Sequence, residues 1–211
     1  REQAFGHESL ESAASLSQLG AAVERQRRYT EAETLFRRAL AISISKLGAE
    51  HVATGESYAR LGLALAGQVR YAEAEASQRQ ALRIISAKSG ANGVRLVVQV
   101  TNDLGFVLVQ QGKYGDAERL LRSALQTRES NFGPDDPVIA RSLNDIATSV
   151  GRQGRHAEAE ALFRRAVVMR ETTLGIEHRD TAQSLNDIGA MLHFQGRIAE
   201  AESYYRRALT V

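Results

Sequence analysis

Apolar and small residues recur along this chain at spacings of three, four and seven, the period of a helix with one buried stripe. Five segments share one version of that pattern: YTEAETLFRRAL (29–40), YAEAEASQRQAL (71–82), YGDAERLLRSAL (114–125), HAEAEALFRRAV (156–167) and IAEAESYYRRAL (198–209). Their starts step by 42, 43, 42 and 42 residues. Three residues after each start stands an alanine (Ala32, Ala74, Ala117, Ala159, Ala201), and ten after it another (Ala39, Ala81, Ala124, Ala166, Ala208). Nine residues before each start stands a small residue (Gly20, Gly62, Gly105, Ala147, Gly189), always preceded by Leu or Ile. Small residues at fixed sites let one helix backbone approach another, and a larger side chain there would overpack by roughly 1–3 kcal/mol.

Each repeat therefore reads as two antiparallel helices, A and B. In the second repeat, A is expected over about Val52–Ala66 and B over about Tyr71–Ala87. The A–B turn carries glycine in three repeats (QGKY, QGRH, QGRI). The longer B–A turn carries Gly48, Gly90, Gly133 or Gly175 where a helix C-cap is expected. Asp136-Pro137 reads as an N-cap with proline at the first helical position. One pair cannot bury both of its faces, so the pairs must stack into an all-α solenoid. The boundaries read as the tail of a preceding repeat (1–5), then repeats at 6–47, 48–89, 90–132, 133–174 and a truncated fifth at 175–211. Arg1–Gly6 repeats the register of Arg128–Gly133 and Arg170–Gly175, so the sequence reads as a fragment of a longer array.

Composition adds exclusions. The 211 residues are 43% hydrophobic and 25% charged, which suits a folded chain. A net charge of +2 gives no field for nucleic acid or a membrane surface, and neither is expected as a partner. No run approaches 18 apolar residues. The absence of cysteine removes thiol catalysis, disulfides and thiolate metal sites. Of 27 basic residues only Lys46, Lys88 and Lys113 are lysine, a skew that points to a GC-rich, bacterial source; a cytoplasmic location is expected.

The Leu-Gly of helix A, the aromatic opening of helix B and its Ala–large–Ala series resemble the tetratricopeptide repeat family. The 42-residue period, with the phrases RESNFGPDDPVIARSLNDIA (128–147) and RETTLGIEHRDTAQSLNDIG (170–189), is similar to the kinesin-light-chain variant of that family. The resemblance implies a right-handed superhelical solenoid with helix A lining a concave groove. Departures are local: Gln78 stands where other repeats have Phe36, Leu121, Phe163 or Tyr205, and His156 and Ile198 replace the opening tyrosine. The third repeat carries an extra residue near Ala91-Asn92-Gly93 before the apolar start VRLVVQV (94–100).

Candidate chemistry lies on helix A. Twelve residues before each helix B start stand Ser17, Ala59, Asn102, Asn144 and Asn186. An amide offers donors and an acceptor together and so can pair with an extended peptide. The resemblance implies that role for Asn102, Asn144 and Asn186, and the alternative is that they brace neighbouring helices. Fifteen residues before each start lie Ala14, Glu56, Gln99, Arg141 and Gln183. Eight before lie Ala21, Leu63, Phe106, Thr148 and Ala190. Gln99, Arg141 and Gln183 are polar groove candidates, Arg141 for a carboxylate; Leu63 and Phe106 are apolar anchors or ordinary core.

Each helix B also carries Glu followed four residues later by Arg: Glu33–Arg37, Glu75–Arg79, Glu118–Arg122, Glu160–Arg164 and Glu202–Arg206. This ladder reads as paired charge on a solvated face, against a track for phosphate or an acidic ligand. His51 and His178 occupy equivalent turns and read as turn residues; with His7, His156 and His193 they show no metal-ligand spacing. Asp135-Asp136 reads as capping rather than calcium binding. No phosphate loop, GxSxG or acid–base pair appears, so no enzyme activity and no cofactor are expected. The function expected is a scaffold that binds a peptide or protein segment, as the recognition arm of a larger protein. Two alternatives stand beside it: self-assembly into dimers or filaments by head-to-tail stacking of exposed repeat ends, and, as the resemblance implies, a peptide-sensing domain fused to an effector.

Overall fold

The computed structural model describes residues 9–88, 93–132 and 138–210. Expectations about Arg1–Gly6, His7, Gly90, the insertion at Ala91-Asn92, Gly133, Asp135-Asp136 and Pro137 fall outside those residues. The described chain is helical, with no strand: α1 (Leu10–Arg25), α2 (Tyr29–Leu47), α3 (Val52–Gly67), α4 (Tyr71–Lys88), α5 (Val94–Gln110), α6 (Tyr114–Phe132), α7 (Val138–Arg152), α8 (His156–Thr173), α9 (Arg179–Phe194) and α10 (Ile198–Leu209). Odd-numbered helices are the A helices and even-numbered ones the B helices; α3 and α4 start where the sequence reading of the second repeat put them and end one residue later.

The chain forms two compact units, Arg1–Gln111 and Gly112–Val211. In the first, α1 to α5 each pack on their sequence neighbours, and α3 also touches α1 and α5. In the second, α6 to α10 pack the same way, and α7 touches α9. Within each unit the A helices thus approach one another directly. The B helices of the second unit reach each other through long side chains, as in Arg165–Glu129 (2.7 Å) and Arg207–Glu171.

The alanine rows explain the pairing of A with B. Ala32, Ala74, Ala117, Ala159 and Ala201 are all buried, as are Ala39, Ala81, Ala124 and Ala166. Opposite the glycine row lies the large residue of helix B. A Cβ on Gly20 would sit 2.6 Å from the Phe36 ring, and one on Gly189 would sit 2.8 Å from Tyr205. Gln78 fills the same hollow over Gly62, fully buried, donating Nε2 to the Ala59 carbonyl at 3.1 Å. Its Oε1 is enclosed without a partner among the described residues.

Turns repeat too. His51 and His178 are N-caps, accepting at Nδ1 from the amides of Ala53 (3.2 Å) and Asp180 (3.1 Å). Thr54 and Thr181 then donate to the carbonyls of Gly48 and Gly175, each at 2.8 Å. In the A–B turn one backbone site is left-handed in every repeat: Gly112, Gly154 and Gly196 adopt it easily, while Arg27 (φ 63°) and Val69 (φ 64°) are held in it.

The Glu–Arg ladder needs a correction. The five pairs form, and Glu202–Arg206 stands on a solvated face as read, but the other four carboxylates do not: Glu33, Glu75, Glu118 and Glu160 have side chains only 11%, 14%, 11% and 17% exposed. Each also takes donors from the next A–B turn. Glu33 accepts from Gln68 Nε2 (2.8 Å) and Arg70 Nη1 (2.7 Å). Glu75 accepts from Gln111 (2.9 Å), Glu118 from Gln153 and Arg155 (2.8 Å each), and Glu160 from Arg197. The row is a staple between repeats. Burial pushes Glu33 and Glu118 up, but hydrogen bonds from Gln68 and Arg37, and from Gln153, Arg122 and Arg155, leave both carboxyls below their ordinary value. The Arg197 hydrogen bond holds Glu160 down in the same way.

Two predictions follow from these joints. A carboxylate depressed in the fold stabilises it above the unfolded Glu value, about 4.3, and that stabilisation is lost as pH falls through the folded value. Glu118→Gln should therefore cost about 1–2 kcal/mol at pH 7, with the gap to wild type narrowing as the pH is lowered below the unfolded Glu value; urea unfolding across that range checks it, and coincident curves at pH 7 would reject the staple. For the strained turn, Val69 is 66% exposed, so little packing opposes its replacement. Relief of about 1–2 kcal/mol of left-handed strain exceeds glycine's entropy cost of about 0.4–1 kcal/mol. Val69→Gly should raise the thermal midpoint by about 1–3 °C, and a lower midpoint would show the strain to be absent.

Candidate functional site

The A helices carry the candidate residues, but their side chains divide into two groups. Asn102 on α5 and Asn144 on α7 are buried, at 2% and 7% exposure, whereas Asn186 on α9 is exposed. Asn144 donates Nδ2 to Ser184 Oγ (3.1 Å) and Asp187 Oδ2 (2.8 Å) on α9, and its Oδ1 is enclosed. In this structure Asn144 therefore acts as the brace that the sequence left as the alternative to peptide contact. Gln99, Arg141 and Gln183 lie exposed, Phe106 is 39% exposed and Leu63 is half-buried. Arg141 Nε stands 3.9 Å from Asp145, one helical turn on.

Asp187, the residue after Asn186, was not among the sequence candidates. It accepts from Gln183 Nε2 on Oδ1 and from Asn144 on Oδ2, both at 2.8 Å. Burial raises its pKa, opposed by the Gln183 bond, the charge of Arg170 and the Asn144 bond. Arg170 on α8 is itself buried, with Nη1 on Ser184 Oγ (2.9 Å) and the Asp180 carbonyl. The signal was present: Asn-Asp recurs at 102–103, 144–145 and 186–187, and buried arginine at 128 and 170.

Beside this network a cleft of about 760 Å³ opens in the second unit. Its α7 wall is Ala147, Thr148, Gly151 and Arg152, and its α9 wall is Asp187, Ala190, Met191 and Phe194. Tyr114, Gly154, His156 and Phe163 close it. Thr148 Oγ1 is tied to the Asn144 carbonyl (3.0 Å), and Phe194 is 82% exposed. Among the described residues no cluster of His, Asp or Glu is arranged to hold a metal ion, and no helix is long and apolar enough to cross a membrane.

A repeat of paired helices with small residues at the A–B contact and this cleft on the A face defines a helical-repeat scaffold. The family model for the tetratricopeptide repeat matches residues 3–87, 96–172 and 146–211, and the chain belongs to that family. No curated protein matches it in sequence. Among solved structures it is similar to the nearly identical kinesin-light-chain repeats of Podosopora anserina: 20% identity, TM-score 0.78, 98% of this chain and 96% of that one. BtubC (BKLC) from P. vanneervenii is similar over 95% of this chain and 80% of its own, with 20% identity and a TM-score of 0.75. A Rap protein complexed with competence and sporulation factor shares 16% identity and a TM-score of 0.81 over 99% of this chain and 56% of its own.

The division between braces and exposed residues is testable by denaturation. Asn144→Ala should cost about 1–3 kcal/mol by leaving Ser184 and Asp187 short of a donor. Asn186→Ala should change stability by less than about 0.5 kcal/mol. Equal losses would reject the division.

Proposed function

We propose that this chain is a non-catalytic protein-interaction scaffold whose A-helix face holds a peptide segment of a partner. The observation that carries the reading is the cleft between α7 and α9, whose volume of about 760 Å³ accommodates a few peptide residues. Exposed Arg141 continues the cleft stripe of Thr148 and Arg152 along α7, and Gln183 and Asn186 flank the stripe of Asp187, Ala190 and Phe194 on α9. In the first unit, exposed Gln99 and Phe106 with half-buried Leu63 supply polar and apolar contacts on the corresponding helices. Asn102 and Asn144 enter as the buried support of this face. The Rap protein solved with competence and sporulation factor supports a peptide as ligand. The arginine skew supports a bacterial setting.

Selection of phage-displayed peptides on the chain tests the proposal, with Ala190→Arg as the variant that fills the cleft from an exposed position. Selected peptides should bind wild type and lose at least about tenfold on Ala190→Arg, with the melting temperature kept. Equal binding to both, or no enrichment on the folded chain, would reject the reading.

A further inference from the structure

We propose that the α7–α9 cleft is a subsite for a cationic side chain, the Lys or Arg of a bound segment, with Asp187 as its counter-charge. The inference rests on the peptide-holding reading above and names the residue held.

Asp187 is a carboxylate supported by neutral groups. Its hydrogen bonds come from the amides of Gln183 and Asn144, and among the described residues it forms no ion pair. An ionised carboxylate offers about four acceptor positions, so two amides leave room for a guanidinium fork or an ammonium. The cation that acts on it, Arg170, has its Nη1 committed to the Asp180 carbonyl and Ser184 and reaches Asp187 only through space. Burial already disfavours the lone negative charge. An incoming cation at contact distance supplies what the site lacks, and a charge-assisted hydrogen bond is roughly twice as strong as a neutral one.

The shape agrees. Asp187, Ala190, Met191 and Phe194 follow one another at i, i+3, i+4 and i+7, about 10 Å along one face of α9. A carboxylate at one end, small and thioether surface in the middle and an exposed ring at the other match an apolar stem that ends in a charge. The cleft is polarised as well. α7 and α9 are both A helices, so Arg152 shares the Phe194 end with His156, away from Asp187. Arg152 forms no ion pair among the described residues. It repels a second cation there and favours the carbonyls or acidic side chains of the same segment. Arg141, farther along α7, is occupied with Asp145.

The test uses four libraries of Nα-acetylated, C-amidated nonapeptides, random except for a central Arg, Lys, Leu or Glu, titrated by fluorescence anisotropy. The Arg and Lys libraries should bind wild type at least about fivefold tighter than Leu, with Glu weakest, and the gap should shrink with salt. Asp187→Asn, which keeps the shape and an acceptor, should bring Arg and Leu within about twofold of each other. Asp187→Ser, neutral and smaller, should do the same should the first variant fold poorly. Four libraries bound equally, with binding still lost on Ala190→Arg, would overturn the cationic subsite and leave peptide holding intact. No binding by any library would remove both. Discrimination that survives both Asp187→Asn and Asp187→Ser would overturn the assignment, and so would a Leu library with free amino termini that matched Arg.

Discussion

Both units depend on how closely a B helix can lie against the backbone of its A helix. Where Phe36 or Tyr205 presses on Gly20 or Gly189, a single added methyl group would intrude to well inside van der Waals contact. Dense contact of this kind, not helix propensity, makes helices of 12 to 19 residues stable. It also fixes direction. Once the A–B contact is set, the short turn must reverse the chain within a few residues, and that requirement is strong enough to hold Arg27 and Val69 left-handed.

The helices, their pairing and the close contact were legible because each leaves a periodic trace within one repeat. The charged ladder misled for the same reason. Glu and Arg four apart on one helix look self-sufficient, and the sequence does not display Gln68 or Arg70 arriving from the following turn to enclose Glu33. A charge counted as solvated proves to be a joint. The asparagine row shows the other limit. Asn144 and Asn186 occupy one register position, yet Asn144 is roofed by Ser184 and Asp187 of α9 while Asn186 faces outward. Register specifies the stripe on which a residue lies, and only the neighbouring helix decides whether that stripe is covered. The Asn-Asp pairs were visible as letters, but the weight of the second member emerged from what surrounds it.

Support and presentation are thus divided between different residues of the same helices. Buried Asn144, Ser184 and Arg170 hold the A helices of the second unit in register with α8, and Asp187, Thr148 and Ala190 are left at the cleft they define. A face built this way can vary exposed residues such as Ala190 at low cost to stability, because most of the fold-holding contacts are made by other residues of the same helices.

The donors that close the staples stand at nearly constant distances from the Glu they meet: Gln68 and Gln153 are 35 residues after Glu33 and Glu118, Arg70, Arg155 and Arg197 are 37 residues after Glu33, Glu118 and Glu160, and only the longer third repeat shifts its Gln111 to 36 residues after Glu75. The joint is written in differences of sequence position, not in absolute position. Gene duplication of one 42-residue period inside a unit would deliver every donor to a waiting carboxylate, while gain or loss of a few residues between the two partners would separate them. Lineages of such proteins should therefore lengthen by whole repeats, with the staple acting as the ruler.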